Sequence, residues 1–317
     1  MTPGSRLILG LQKSHLTNSI KDFLRQKQIG GVILFDHNAE NIGELKSLVA
    51  EINAACSPGR PFIGIDFEGG RVRRLGKLFG PLRRAEDYAD NLTGLSEDCA
   101  RLAKQFSACG INFNFAPVCD LTYAPLNVAL ADRTFSTDPA LTAAYCLEFH
   151  RAFSGAGIMT CFKHFPGLGS AVNDPHASMA ISCIPFERLR DFDLVPYKAG
   201  IRLGIKIIMT SHILISSVDG EIATFSKRTT DLARSLGFAG VLITDDLSMG
   251  ALKDILPLRE RVLKALCAGH DMALVCHDHD DHLVIVEYLE KNLNTLMRSG
   301  HLKALSRIEH AKKQLAA

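Results

Sequence analysis

The residues best suited to chemistry in this 317-residue chain lie between Lys163 and His176. Lys163-His164-Phe165-Pro166-Gly167 runs into a stretch whose Pro166, Gly167 and Gly169 mark a loop rather than a helix. Asp174-Pro175-His176 follows within it. A residue before proline is pushed to extended geometry, and in extended chain residues two apart point the same way. Asp174 can then orient the His176 imidazole and raise its pKa. That makes the pair an acid/base candidate on a loop expected to move. The plainer alternative is a surface turn with an incidental histidine. A second acidic point is Asp245-Asp246. Neighbours on a strand end face opposite ways, so one can enter a cavity while the other caps the next helix, and spacing alone does not choose between them.

These residues have company at equivalent places. Asp66-Phe67-Glu68-Gly69-Gly70-Arg71 follows the apolar run 62–65, Pro117 and then Asp120 follow 111–116, and Ser211-His212 follows 206–210. Eight such runs recur along the chain, at 7–11, 31–35, 62–65, 111–116, 158–162, 206–210, 240–244 and 272–276. Several are apolar on both faces, as strands of parallel sheets are. Helix-period segments at 41–55, 141–153, 257–267 and 281–297 lie among them, residues 67–91 carry no clean pattern, and 302–314 read as a terminal helix packed on the outside. This order predicts a single α/β domain over residues 1–317, a (β/α)8 TIM-type barrel, with a doubly wound open sheet as the alternative. In either fold, chemistry sits beyond the carboxyl ends of the strands, where these ionisable residues fall.

Taken in order, Lys163-His164-Phe165-Pro166-Gly167 with Asp174 and His176 downstream, then Thr244-Asp245-Asp246-Leu247-Ser248-Met249, resembles the family 3 glycoside hydrolases, and within them the bacterial β-N-acetylhexosaminidases. Asp66 to Val72 with Arg74, Asn114-Phe115-Ala116-Pro117-Val118, Asp132-Arg133-Thr134-Phe135-Ser136 and Ala268-Gly269-His270-Asp271-Met272 extend the match over nearly the whole chain. The resemblance implies a barrel that removes terminal β-linked N-acetylglucosamine with retention. It implies Asp245 as nucleophile, His176 as acid/base held by Asp174, and Asp66, Arg74, Arg133, Lys163 and His164 as sugar-binding residues. It implies no metal and no cofactor. For short single-domain members it implies N-acetylglucosamine–anhydro-muramic acid, with or without peptide, as the substrate of cytosolic cell-wall recycling. Two departures stand out. Leu168 replaces a histidine usual in the family's loop, and Pro175 replaces a serine between Asp174 and His176.

Other chemistries remain open on the sequence. His277-Asp278-His279-Asp280-Asp281-His282 has the residue types of a divalent-metal site, against a solvated loop capping the last long helix. A phosphorolytic enzyme and a non-catalytic sugar-binding protein on the same scaffold are further alternatives. His150 and His270 read as helix-surface or turn residues rather than ligands. Composition narrows the field: 47% hydrophobic, 22% charged and a net charge of +2 describe an ordinary globular chain. That charge gives no electrostatic reason to expect nucleic acid or a membrane surface. Nine scattered cysteines without a CxxC pair, and a start that does not read as a signal peptide, predict reduced thiols in the cytoplasm. With no Trp and five Tyr, the expected partner is one small polar sugar gripped by charged groups, bound by a monomer.

Overall fold

The computed structural model describes residues 2–123, 127–171, 180–277 and 279–315. Eight parallel strands close into a barrel: β1 (Leu7–Gly10), β2 (Gly31–Leu34), β3 (Phe62–Ile65), β4 (Phe113–Asn114), β5 (Met159–Phe165), β6 (Ile207–Thr210), β7 (Val241–Asp246) and β8 (Met272–Val275). Each pairs with its sequence neighbours, and β1 pairs with β8. The open-sheet alternative is thereby excluded. All eight apolar runs become barrel strands, although β4 is short. Hydrogen bonds from Phe115 N to Ile65 O and from Cys161 N to Ala116 O continue its pairing beyond the regular ladder.

Alternation explains the filling of the barrel. Ile8, Ile33, Phe62, Phe113, Met159, Cys161, Ile207, Val241, Ile243 and Met272 pack together as its interior. The intervening residues, such as Leu9, Val32, Ile63 and Leu242, pack outward against helices. Gly64 belongs to the inward row, and a Cβ there would lie 2.6 Å from the Phe115 ring, so glycine makes room for that aromatic.

The outer layer is formed by α1 (Asn18–Lys27), α2 (Ile42–Cys56), α3 (Leu92–Cys109), α4 (Pro139–Ser154), α5 (Val195–Leu203), α6 (Lys227–Ser235), α7 (Leu258–Cys267) and α8 (Asp281–Lys291). The patternless segment 67–91 is a β-hairpin followed by two single-turn helices, Gly76–Phe79 and Ala85–Tyr88. The helix after β3 is α3, which begins at the Asn91 cap and buries Leu95, Cys99, Leu102, Ala103 and Phe106. The expected helix 281–297 is broken after α8, where the Asn292 side-chain amide donates to Tyr288 O and competes with the helical ladder before α9 (Leu293–Arg298). The last helix, α10 (His301–Lys312), does not join the outer ring. Ile308, Ala311 and, just beyond it, Leu315 pack on the inward strand residues and close the amino end of the barrel. His270 is fully buried rather than on a surface, bonded to Thr210 Oγ1 and Ala265 O. His150 lies on α4 against Thr160 Oγ1. No helix among the described residues is long and apolar enough to cross a membrane.

Candidate active site

The carboxyl end of the barrel opens into a cavity of ≈ 620 Å³. Three inward rows end there on ionisable residues: Phe62, Gly64, Asp66; Met159, Cys161, Lys163; and Val241, Ile243, Asp245. Two of these ends are bulged. On β5 the pairing with β6 slips one residue between Phe162 and Phe165, and on β7 the pairing with β8 slips between Ile243 and Asp246. A bulge re-aims side chains, and these two bulges span Lys163-His164 and Asp245.

Asp245 and Asp246 have separate lives. Asp246 accepts from Ser248 N at 3.0 Å, Ser248 Oγ at 2.6 Å and Cys276 N at 3.0 Å, so it holds the turn after β7. Asp245 lines the cavity, where its Oδ1 accepts from Asp246 N at 2.8 Å. Burial disfavours the Asp245 carboxylate. His212, Lys163 and the Asp246 N–H outweigh that cost and hold its pKa below the ordinary value.

Asp66, Glu68 and Arg74 come from one hairpin, Phe67–Gly69 with Val72–Arg73. Its turn requires positive φ at Gly69 and Gly70, and a Cβ on Gly69 would meet Arg83 O at 2.3 Å. Asn114 on β4 pins it, exchanging bonds of 3.1 Å with Phe67 N and O. Lys163 Nζ lies 2.6 Å from Asp66 Oδ1 and 2.7 Å from Glu68 Oε1. Arg133 grips Glu68 with two nitrogens, Nε at 2.7 Å and Nη2 at 2.8 Å. Burial penalises all three charges. The mutual pairing prevails, keeping Glu68 well below the usual carboxylate range and Lys163 and Arg133 above their ordinary values. Arg74 stands over the Phe35 ring at 5.8 Å, and its buried Nε has no partner among the described residues.

The cavity therefore unites Asp66, Arg74, Arg133, Lys163, His164 and Asp245. Asp174 and His176 lie outside the described residues. Two functional residues were quoted in the sequence without a role. Glu68 is the shared anion of Arg133 and Lys163, and Asp120 bonds His164 Nδ1 at 2.7 Å. The signal for Glu68 was available: it is two residues beyond Asp66 in extended chain, hence on the same side. Near the cavity rim, His277 packs at 5.4 Å from Phe35, and the His279 and His282 rings meet edge-on at 5.3 Å. Asp278 lies outside the described residues. Among those described, no three His, Cys, Asp or Glu side chains are grouped to hold a metal. Chemically, the cavity offers an ionised carboxylate facing fixed cations and hydrogen-bond donors. That suits attack on an electrophilic carbon of a hydroxyl-rich ligand.

Comparison with known proteins identifies the family and the fold. The family model described as "Glycosyl hydrolase family 3 N terminal domain" matches residues 7–316. A beta-hexosaminidase of Stenotrophomonas maltophilia is 35% identical over 308 residues, covering 93% of this chain and 90% of that protein. NagZ from Neisseria gonorrhoeae, solved in complex with N-trifluoroacetyl-D-glucosamine, superposes with a TM-score of 0.81 at 29% identity over 99% of this chain and 97% of that one. A family 3 β-N-acetylglucosaminidase from Paenibacillus sp. gives a TM-score of 0.90 at 27% identity, with this chain spanning 62% of its length.

Proposed function

This chain is a member of glycosyl hydrolase family 3, and on that premise we propose that it is a retaining exo-β-N-acetylglucosaminidase with Asp245 as nucleophile. The observation that carries the reading is the Asp245 carboxylate, held ionised at the end of an inward row, in one cavity with Asp66, Arg74, Arg133, Lys163 and His164. Those five residues bind the terminal sugar. Asp66 and Glu68 fix the Lys163 ammonium, so its remaining N–H can serve a hydroxyl, and the unpartnered Arg74 Nε is a donor in reserve. Such prior positioning is a large part of catalysis by proximity.

In the first half of the proposed reaction an Asp245 oxygen bonds to the anomeric carbon as the bond to the leaving oxygen breaks. His176, oriented by Asp174, donates the proton that oxygen takes up. In the second half His176 removes a proton from water. The water oxygen then attacks the same carbon and frees Asp245, so two inversions give net retention. The substrate within this reading is N-acetylglucosamine linked to anhydro-muramic acid, with or without peptide. Its setting is cytoplasmic cell-wall recycling by a monomer.

The test is incubation with a chromogenic β-N-acetylglucosaminide and its β-glucoside counterpart, with and without phosphate. The reading expects strong preference for the acetamido sugar and release of free N-acetylglucosamine at a rate indifferent to phosphate. Preference for glucose would overturn the sugar assignment. A phosphorylated sugar product would make the chain a phosphorylase.

A further inference from the structure

His164 touches two groups whose chemistry leaves it one protonation state. Its Nε2 lies 3.2 Å from Arg133 Nη2, and a guanidinium can only donate, so Nε2 carries the lone pair. Its Nδ1 lies 2.7 Å from Asp120 Oδ2, a carboxylate that accepts, so Nδ1 carries the proton. A doubly protonated ring would set N–H against N–H at Arg133. Arg133 cannot turn away to relieve that clash, because its Nε and Nη2 are held by Glu68 and its Nη1 by Ala129 O at 2.8 Å.

Asp120 is fully buried, on the chain leaving β4. Besides the imidazole, its oxygens accept from His164 N at 3.2 Å and from Leu168 N at 2.6 Å. One carboxylate thus fixes the ring, the backbone at His164 and the backbone at Leu168.

We propose that Asp120 is a positioning residue that locks His164 in its Nδ1–H tautomer, so that Nε2 accepts from Arg133 Nη2 and holds that guanidinium in place for the sugar. With one Nη2 proton on Glu68 and the other on His164, the guanidinium is fixed from two sides. This inference rests on the reading of the cavity as a sugar site, but the tautomer itself does not.

The lock predicts the effect of Asp120→Asn, which keeps the size and removes one acceptor. If the new carbonyl oxygen serves Leu168 N, the amide donates to Nδ1 and drives the proton to Nε2, against Arg133. Histidine-labelled protein read by ¹⁵N NMR, with the resonance assigned by its loss in His164→Asn, should show a protonated Nδ1 and a bare Nε2 in the unsubstituted chain. In Asp120→Asn the two should exchange character, and KM for a β-N-acetylglucosaminide should rise about tenfold, the scale of a lost charge-assisted hydrogen bond, with a smaller change in kcat. A wild-type His164 that is protonated at Nε2 overturns the proposal without any variant. So does an Asp120→Asn protein with unchanged KM. If the unsubstituted chain turns over no aminosugar while the tautomer is as described, the sugar reading fails and the lock stands.

Discussion

Glu68 shows how much of the cavity's charge is ordered by a residue that need not touch a ligand. Its carboxylate is almost wholly enclosed and neutralises two enclosed cations, Arg133 and Lys163. Removing one partner of a buried ion pair leaves uncompensated charge, at a cost of roughly 3–5 kcal/mol. Glu68→Gln is therefore expected to lower the unfolding free energy measured in urea by about that amount. Because Arg133 and Lys163 lose their fixed anchor, it should also raise KM for an aminosugar substrate. A variant with wild-type stability and KM would show that Asp66 alone organises the cations. The six described residues singled out in the sequence share one cavity, but the choice of Asp245 over Asp246 came from the family resemblance. The reason is physical. Residues 241–244 are apolar on both faces, so their pattern contains no parity from which the inward row could be read. The bulge that aims Asp245 leaves no mark in residue type either.

At the scale of elements, the turn after β5 rests on a polar support. A Cβ on Gly167 would come within 3.0 Å of Asp193 Oδ1, and Tyr123 OH donates to Asp193 Oδ2 at 2.7 Å. The other Asp193 oxygen, Oδ1, is buried without a partner among the described residues. Burial, opposed by the Tyr123 bond, pushes the Asp193 pKa from 3.8 up to about 6. The folded chain thus holds this proton more tightly than the unfolded chain. Stability contributed by the protonated carboxyl is complete below pH 3.8 and declines as pH rises through the window to about 6. The full loss is about 3 kcal/mol, from roughly two pKa units. Asp193→Asn keeps an acceptor for Tyr123 and has nothing to ionise. Denaturation across that window should find the variant more stable at neutral pH and without this slope, whereas an unchanged slope would place the titration elsewhere. The support was illegible in sequence, since Tyr123, Gly167 and Asp193 meet only through the tertiary fold. The hairpin after β3 was illegible for another reason: its strands are too short to show any period, and Gly69-Gly70 was its sole mark.

At the scale of the molecule, the barrel separates two tasks. The carboxyl end carries the ionisable cavity. The amino end is closed by α10 and by Asp271, a fully buried carboxylate that accepts from Arg234 Nη2 at 2.7 Å, Arg307 Nη2 at 2.6 Å and Leu242 N at 2.8 Å. Arg6, ahead of β1, donates to the Asp271 carbonyl, so both ends of the described chain are tied to the same point. The barrel was legible because eight two-faced apolar runs in sequence order have few other solutions. The seat of α10 was not. An apolar stripe at Leu305 and Ile308 says that one face is covered, without saying by what.

The central claim is that Asp245 bonds to the anomeric carbon. The most direct measurement is peptide mass spectrometry after reaction with a fluorinated N-acetylglucosaminyl donor carrying an activated leaving group, which makes the glycosyl-enzyme outlast the assay. One sugar added per chain is expected, on the peptide containing Asp245 and absent from Asp245→Asn. A sugar attached to Asp246, or turnover with inverted product and no adduct, would contradict the claim.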